Sequence, residues 1–260
     1  MTSVLFYCPF GYFLSTRLET FAAKISWLLV YFVPLLLTVF SFSSALDLIS
    51  VGYLAVGTIS VYLLYEIGYI ENDTLTVLQE PSPTIRLDDD VRRYVSEHWW
   101  KIVLFRSGIL IICLWWIRSA PGFEWFVAML AGLIPAFYLY NRIRSSVNAV
   151  IHPILVTIRF CGPVVLLIPY LNAFAFALLL FPLLNGLERA AESRYGIKWL
   201  QGLWLTNQVS GRWSYYGILL VLVVAYSYSN ASSWWVLLPV VYLFLFRLLT
   251  AFIRPEKVSR

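Results

Sequence analysis

The sequence predicts an all-α membrane protein, a bundle of about eight transmembrane helices, and three observations carry that prediction. Of 260 residues, 60% are apolar and only 13% charged, with mean hydropathy +0.77, where soluble domains hold about 45–50% and about 25%. The apolar residues gather into long stretches, near the roughly 20 residues a helix needs to cross about 30 Å of hydrocarbon. Those stretches are apolar on every side, as from Gly217 to Ala225, whereas membrane barrel strands alternate in polarity.

Taken in order, the candidate spans fall at about 26–46, 49–69, 102–117, 122–140, 150–169, 171–187, 214–229 and 233–252. Residues 1–25 precede them; their apolar start is short and lacks a basic leader, so it is expected to lie along the membrane interface and not to be a cleaved signal. The whole chain, 1–260, is expected to form one helical membrane domain. Lys and Arg cluster in alternate loops: Arg17 and Lys24; Arg86, Arg92, Arg93 and Lys101; Arg142 and Arg144; Arg189, Arg194, Lys198 and Arg212; Arg254, Lys257 and Arg260. The opposite loops offer only Arg118. The positive-inside rule therefore puts both termini and the long polar stretches 70–101 and 187–213 in the cytoplasm. Trp99-Trp100, Trp115-Trp116 and Trp234-Trp235 suit the membrane boundaries, where an indole keeps a dry body and a wet edge. The net charge of +5 fits an anionic inner leaflet and does not call for nucleic acid. Cys8, Cys113 and Cys161 are too scattered for a metal or disulfide framework. His98 and His152 form no catalytic constellation, and no nucleotide loop, nucleophile elbow or zinc-protease motif is present.

The polar residues that remain mark three places. The first begins at Glu66, an ionisable residue at membrane depth that needs a polar cavity or a partner. Half of the chain's 14 carboxylates, seven from Glu66 to Asp90, lie within 25 residues. A continuing helix puts Glu66, Tyr69 and Asp73 on one face, and Asp73, Thr76 and Glu80 likewise. Asn72, Asp73 and Glu80 are oxygen donors of the kind Mg²⁺ takes together with substrate phosphates, against the plainer reading of a solvated loop. Arg86 leaves the rigid turn Pro81-Ser82-Pro83 and suits a phosphate contact or a plain topological role. Asp88, Asp89 and Asp90 stand where they favour the dipole of a following helix more than they suit a metal.

The second place is the helical segment after the sixth span, where Glu188 and Glu192 are spaced i, i+4, with Arg189 and Arg194 beside them and Tyr195 following. Surface ion pairing and a lip facing the first site are both open readings. The third is Arg159, inside the fifth span with no acidic neighbour in sequence, a functional candidate or a snorkelling side chain. The basic turn containing Arg142 and Arg144 precedes it.

Asn72-Asp73 after the second span and the acidic helix after the sixth resemble the UbiA superfamily of membrane prenyltransferases. The pattern Asn-Asp-x-x-Asp-x-x-x-Asp lies over Asn72, Asp73, Thr76 and Glu80, with Arg86 following; Thr76 and Glu80 depart from it, an Asp-rich second motif is lacking, and no ninth span is found. Ile158-Arg159-Phe160-Cys161-Gly162 and Glu188-Arg189-Ala190-Ala191-Glu192 are most similar to the polyprenyl-phosphate phosphoribosyltransferase branch. The resemblance implies a UbiA-like helix arrangement and Mg²⁺-dependent transfer in a bacterial cytoplasmic membrane, the active site facing the cytoplasm in loops 70–101 and 187–213. Phosphoribosyl diphosphate, the phosphorylated small-molecule donor, would react with polyprenyl phosphate; prenyl transfer from an isoprenoid diphosphate is the alternative. It implies a metal set of Asn72, Asp73 and Glu80, with Arg159 also catalytic. Glu66, Tyr69, Arg86, Arg142, Arg144, Glu188, Arg189, Glu192, Arg194 and Tyr195 would bind substrate. A transporter or assembly partner without catalysis is the rival class, although its polar groups would be expected through the midplane.

Overall fold

The computed structural model describes residues 3–43, 47–79, 84–143, 145–203, 209–230 and 234–253. Among them every regular element is helical. After a short 3₁₀ turn comes α1 (Gly11–Thr16), then α2 (Phe21–Trp27), whose N-cap Thr20 accepts from the Ala23 N–H at 3.1 Å. A widened π turn at Leu28–Phe32 joins α2 to α3 (Val33–Ser43); Pro34 just beyond it supplies no N–H to the helical ladder, a cause for such a local shift. Next come α4 (Leu48–Glu71), α5 (Asp89–Ile117), α6 (Phe123–Arg142) and α7 (Asn148–Leu167). They are followed by α8 (Leu171–Leu180), α9 (Pro182–Ala190), the short α10 (Lys198–Gln201), α11 (Ser210–Asn230) and α12 (Leu237–Ile253).

This is an all-α membrane protein with six helices long and apolar enough to cross a bilayer among the described residues. The predicted sixth span is instead a broken one. α8 and α9 meet at 44°, with Phe181 between them and Pro182 opening α9, and together they make a seventh candidate. The predicted seventh span, within α11, has the length but is not among the six, because polar residues at both ends, Arg212 to Tyr216 and Tyr226 to Ser229, dilute its apolar stretch. Two spans extend well past their predicted limits: the second runs through Gln79, and the third begins at Asp89, thirteen residues early. Trp99-Trp100 therefore sit inside α5 and not at its start.

Among the six, α7 is the most enclosed, with 61% of its apolar window buried. It packs between α4 and α6 on one side and α8 and α9 on the other. Gly68 permits the close approach of α4 to α6, because a Cβ there would stand 2.3 Å from the Phe137 ring. The outward faces of α5 and α6 expose Ile111, Ile112, Trp115 and Trp125, as a lipid-facing surface does.

The N-terminal segment is not confined to the surface. Phe6, Tyr12 and Phe13 are buried against the bundle, and the reason is a buried ion pair. Arg106 on α5 and Glu66 on α4 meet at 2.8 Å, both fully enclosed. Glu66 also accepts from the N–H groups of Phe10 (2.9 Å) and Phe13 (2.6 Å), while Arg106 donates to the carbonyls of Phe6 (2.6 Å) and Cys8 (3.0 Å). Each charge is thus satisfied by backbone of residues 6–13 as well as by its partner, the condition under which a buried pair is tolerable. Arg106→Ala would strand the Glu66 carboxylate and is expected to destabilise the protein by about 3–5 kcal/mol. Thermal unfolding in detergent and limited proteolysis of the N-terminal segment would check this; an unchanged melting temperature with a protected segment contradicts it.

Candidate functional site

Where α4 ends, the helix widens into a π turn at Asn72–Thr76 and tightens again at Val77–Gln79. π turns in helices recur at functional sites, and this one presents the Asn-Asp pair. Around it lies a cavity of about 530 Å³ formed by the end of α4, the Thr84–Arg86 strand of coil, the end of α6, the start of α7 and the segment after α9. Arg17, Arg86, Arg189 and Arg194 line it together with Tyr69, Asn72, Tyr140, Asn141, Asn148, His152 and Tyr195. No carboxylate is among its described lining residues.

The acidic groups lie behind the arginines. Asp73 is buried, and its Oδ2 takes the Tyr12 hydroxyl at 2.6 Å and the Arg17 guanidinium at 2.7 Å. Its Oδ1 takes Asn72 Nδ2 at 3.2 Å and Arg86 at 3.4 Å. Arg17 also rests over the Tyr69 ring, 4.6 Å from its centre, a favourable cation–π placement. On the other wall Arg189 bonds Glu192 (2.6 Å) and the Tyr140 hydroxyl (3.2 Å), and Arg194 bonds Glu192 at 2.8 Å. Four guanidiniums against two carboxylates leave two positive charges in excess. Arg17 Nη1 and Arg189 Nε are buried and have no hydrogen-bond partner among the described residues.

The predicted face of Glu66, Tyr69 and Asp73 meets the N-terminal segment: Glu66 is bound to Phe10 and Phe13, Tyr69 stacks near Phe13, and Asp73 is bound to Tyr12 and Arg17. Glu66 is thereby closed off from the chamber. Arg142 pairs with Glu71 at 3.0 Å, where Asn141 also donates. The predicted Glu188 and Glu192 lip is split, because α9 ends at Ala190. Glu188 turns the other way and grips Arg212 with both oxygens, at 2.6 and 2.9 Å. Asp88 holds the N-cap position of α5, with Asp89 and Asp90 in its first turn and Asp89 paired to Arg92, which leaves them to the helix dipole. Glu80, Arg144 and Pro81-Ser82-Pro83 lie outside the described residues.

Of the predicted magnesium set, Asn72 and Asp73 are among the described residues and Glu80 is not. Mg²⁺ takes oxygen ligands with lone pairs free for it, yet both Asp73 oxygens already receive cationic or amide donors. Among the described residues no group of three or more His, Cys, Asp or Glu side chains is placed to hold an ion. What the chamber offers is hydrogen-bond donors and positive charge, the chemistry of an anion site.

Arg159 sits one helix turn deeper, its guanidinium 4.9 Å from the centre of the Tyr65 ring and its Nη1 3.5 Å from the Tyr69 hydroxyl. It lines a separate cavity of about 340 Å³ with Arg212 and Arg247. Sequence reasoning weighed Arg159 and passed over Arg106 and Arg247, although all three are arginines within apolar spans; Arg17 and Arg212 counted there only toward topology. Tyr12 and Asn148 carried no such signal, and Asn141 entered only as part of the basic turn with Arg142 and Arg144. The fold and site together define a membrane helical bundle with a basic cavity where α4 ends. The chain matches no protein-family model, no curated protein and no solved structure.

Burial, then the adjacent Asp73 carboxylate, raises the Tyr12 phenol above its ordinary value, so it stays neutral and donating. The stability this supplies is fully present below about pH 10 and lost as pH climbs beyond that. Tyr12→Phe is expected to cost about 1.5–3 kcal/mol at pH 7, with the gap to the parent narrowing above about pH 10. Melting curves from pH 7 to 11 would check it, and equal stability of the two proteins at pH 7 counts against it.

Proposed function

We propose that this protein is a UbiA-like transferase whose arginine chamber binds the diphosphate of its donor at the cytoplasmic end of the bundle. The observation that carries the reading is the chamber itself, with Arg17, Arg86, Arg189 and Arg194 facing a cavity that has no carboxylate among its described lining. The charge runs of the sequence favour the cytoplasm for this end, and the short motifs around Asn72-Asp73 and Arg159 favour phosphoribosyl transfer from phosphoribosyl diphosphate to polyprenyl phosphate in a bacterial cytoplasmic membrane.

In that reaction an anionic oxygen of the lipid phosphate forms a bond to the anomeric carbon of the ribose. The bond from that carbon to the diphosphate breaks, and pyrophosphate leaves with the electron pair; no proton need move. Charge accumulates on the departing oxygen, where fixed guanidiniums in a partly dry site stabilise it more than they stabilise the ground state. Asp73 is a positioning residue, holding Arg17 and Arg86 from behind. The rings of Tyr65 and Tyr69 border the chamber and suit the positive character of an oxocarbenium-like carbon.

A second reading, prenyl transfer from an isoprenoid diphosphate, is favoured by a groove of about 980 Å³ along α6, α7, α8 and α9, lined almost wholly by apolar side chains. Its lining on α7 and beyond runs from Ala149 to Tyr170, and about twenty helical residues at ~1.5 Å each span the hydrocarbon thickness. An isoprenoid chain fits such a groove in either reaction.

Purified protein given labelled phosphoribosyl diphosphate and polyprenyl phosphate is expected to yield lipid-linked label. Arg189→Gln should lower the rate by about 10²–10³, and Asp73→Asn by about 10-fold or more through loosened arginines. No lipid-linked label with prenyl diphosphate consumed would establish the second reading in its place. No turnover of either donor would remove the transferase reading.

A further inference from the structure

One helix turn further along α7 from the chamber lies the smaller cavity of about 340 Å³, between α2, α7, α9, α11 and α12. Three arginines from three helices line it: Arg159 of α7, Arg212 of α11 and Arg247 of α12. Among the described lining residues only Glu188 opposes them, and both its oxygens accept from Arg212. Two positive charges therefore remain uncompensated among the described residues. The Nε atoms of both Arg159 and Arg247 are buried and lack a hydrogen-bond partner among those residues. The remaining wall is Trp27, Tyr31, Phe181 and Tyr216 with Ser26 and Asn185, a mostly dry rim that strengthens any charge interaction inside it.

Neither Arg212 nor Arg247 is needed by the transfer chemistry assigned to the chamber. Uncompensated guanidiniums with spare donors, on separate helices and converging on one small cavity, are what a tetrahedral oxyanion satisfies. We propose that this cavity is a second anion site, distinct from the chamber, that binds a phosphate monoester dianion between Arg159 and Arg247. A dianion matches the two excess charges. The partition between the two sites is thin: His152, which lines the chamber, bonds Asn185, which lines the second cavity, at 3.1 Å. Tyr69 likewise lines the chamber while touching Arg159. The site stands on its own lining and holds whether or not the chamber transfers a group.

The test is equilibrium dialysis of labelled inorganic phosphate against the full chain in phosphatidylcholine nanodiscs, with farnesyl monophosphate as competitor. Two saturable sites are expected. Arg247→Gln should weaken one of them about 10- to 100-fold, and Arg247→Lys, which keeps the charge and loses the fork, should weaken it less. Arg86→Gln should affect the other site alone. If Arg247→Gln does not fold, the lysine variant carries the comparison. Displacement of label from the Arg247-dependent site by farnesyl monophosphate at far lower concentration than by unlabelled phosphate assigns it to a lipid headgroup, and equal potency assigns it to a soluble phosphate; both support the site. Full phosphate affinity in both Arg247 variants, or a single site lost in Arg86→Gln, overturns it. Failure of Arg86→Gln to change anything counts against the chamber and leaves the second site standing.

Discussion

Charge in hydrocarbon must be answered within the protein, and the arrangement of this chain follows from how it answers Glu66 and Arg106. Neither ion is left to its partner alone; the N–H groups of Phe10 and Phe13 and the carbonyls of Phe6 and Cys8 complete the set. The consequence reaches beyond stability. Tying residues 6–13 to α4 and α5 brings Tyr12 and Arg17 to the end of α4, and these are the groups that seat Asp73. A pair with no direct part in chemistry thereby sets the position of the functional end.

At that end the described acids face arginines. The carboxylates that suggest metal ligands act as anchors for guanidiniums: Asp73 for Arg17 and Arg86, Glu192 for Arg189 and Arg194, and Glu188 for Arg212. An anchored arginine loses less freedom when it meets an anion, so acids placed behind the site serve binding as directly as bases placed within it. The two basic cavities share α7 as a wall, Asn148, His152 and Leu155 lining one and Arg159 the other.

Much of the architecture is legible in the sequence because hydropathy is a property of each stretch by itself. The helical class and most of the spans come from it, as do the runs of Lys and Arg that gather at one end. What it does not reveal depends on neighbours far away in the chain. α5 begins at Asp89 because a helix need not stop where the membrane does, and the sixth span breaks at Phe181 because apolarity says nothing of straightness. Asn72 and Asp73 stand out by type, yet their environment is set by Tyr12 and Arg17, some sixty residues earlier. Glu188 and Glu192 share a face only if the helix continues, and it ends between them. Arg106 and Arg247 were readable by the same rule that singled out Arg159; spans counted as uniformly apolar conceal single charges of great consequence.

The bend between α8 and α9 sets the course of the helix whose Glu188 lines one basic cavity and Arg189 the other. A nine-residue helix is about 13 Å long, so a 44° turn at its root carries its tip roughly 9 Å sideways from the line of the preceding segment. The hydroxyls of Tyr215 and Tyr216 take up the carbonyls of Leu179 and Leu180 at the bend, so its exposed backbone is already stitched to α11. In a straight rod the adjacent Glu188 and Arg189 would be swung off their present targets. The crooked rod delivers one to each compartment, and a single peptide step thus works as a divider between two neighbouring arginine-lined rooms.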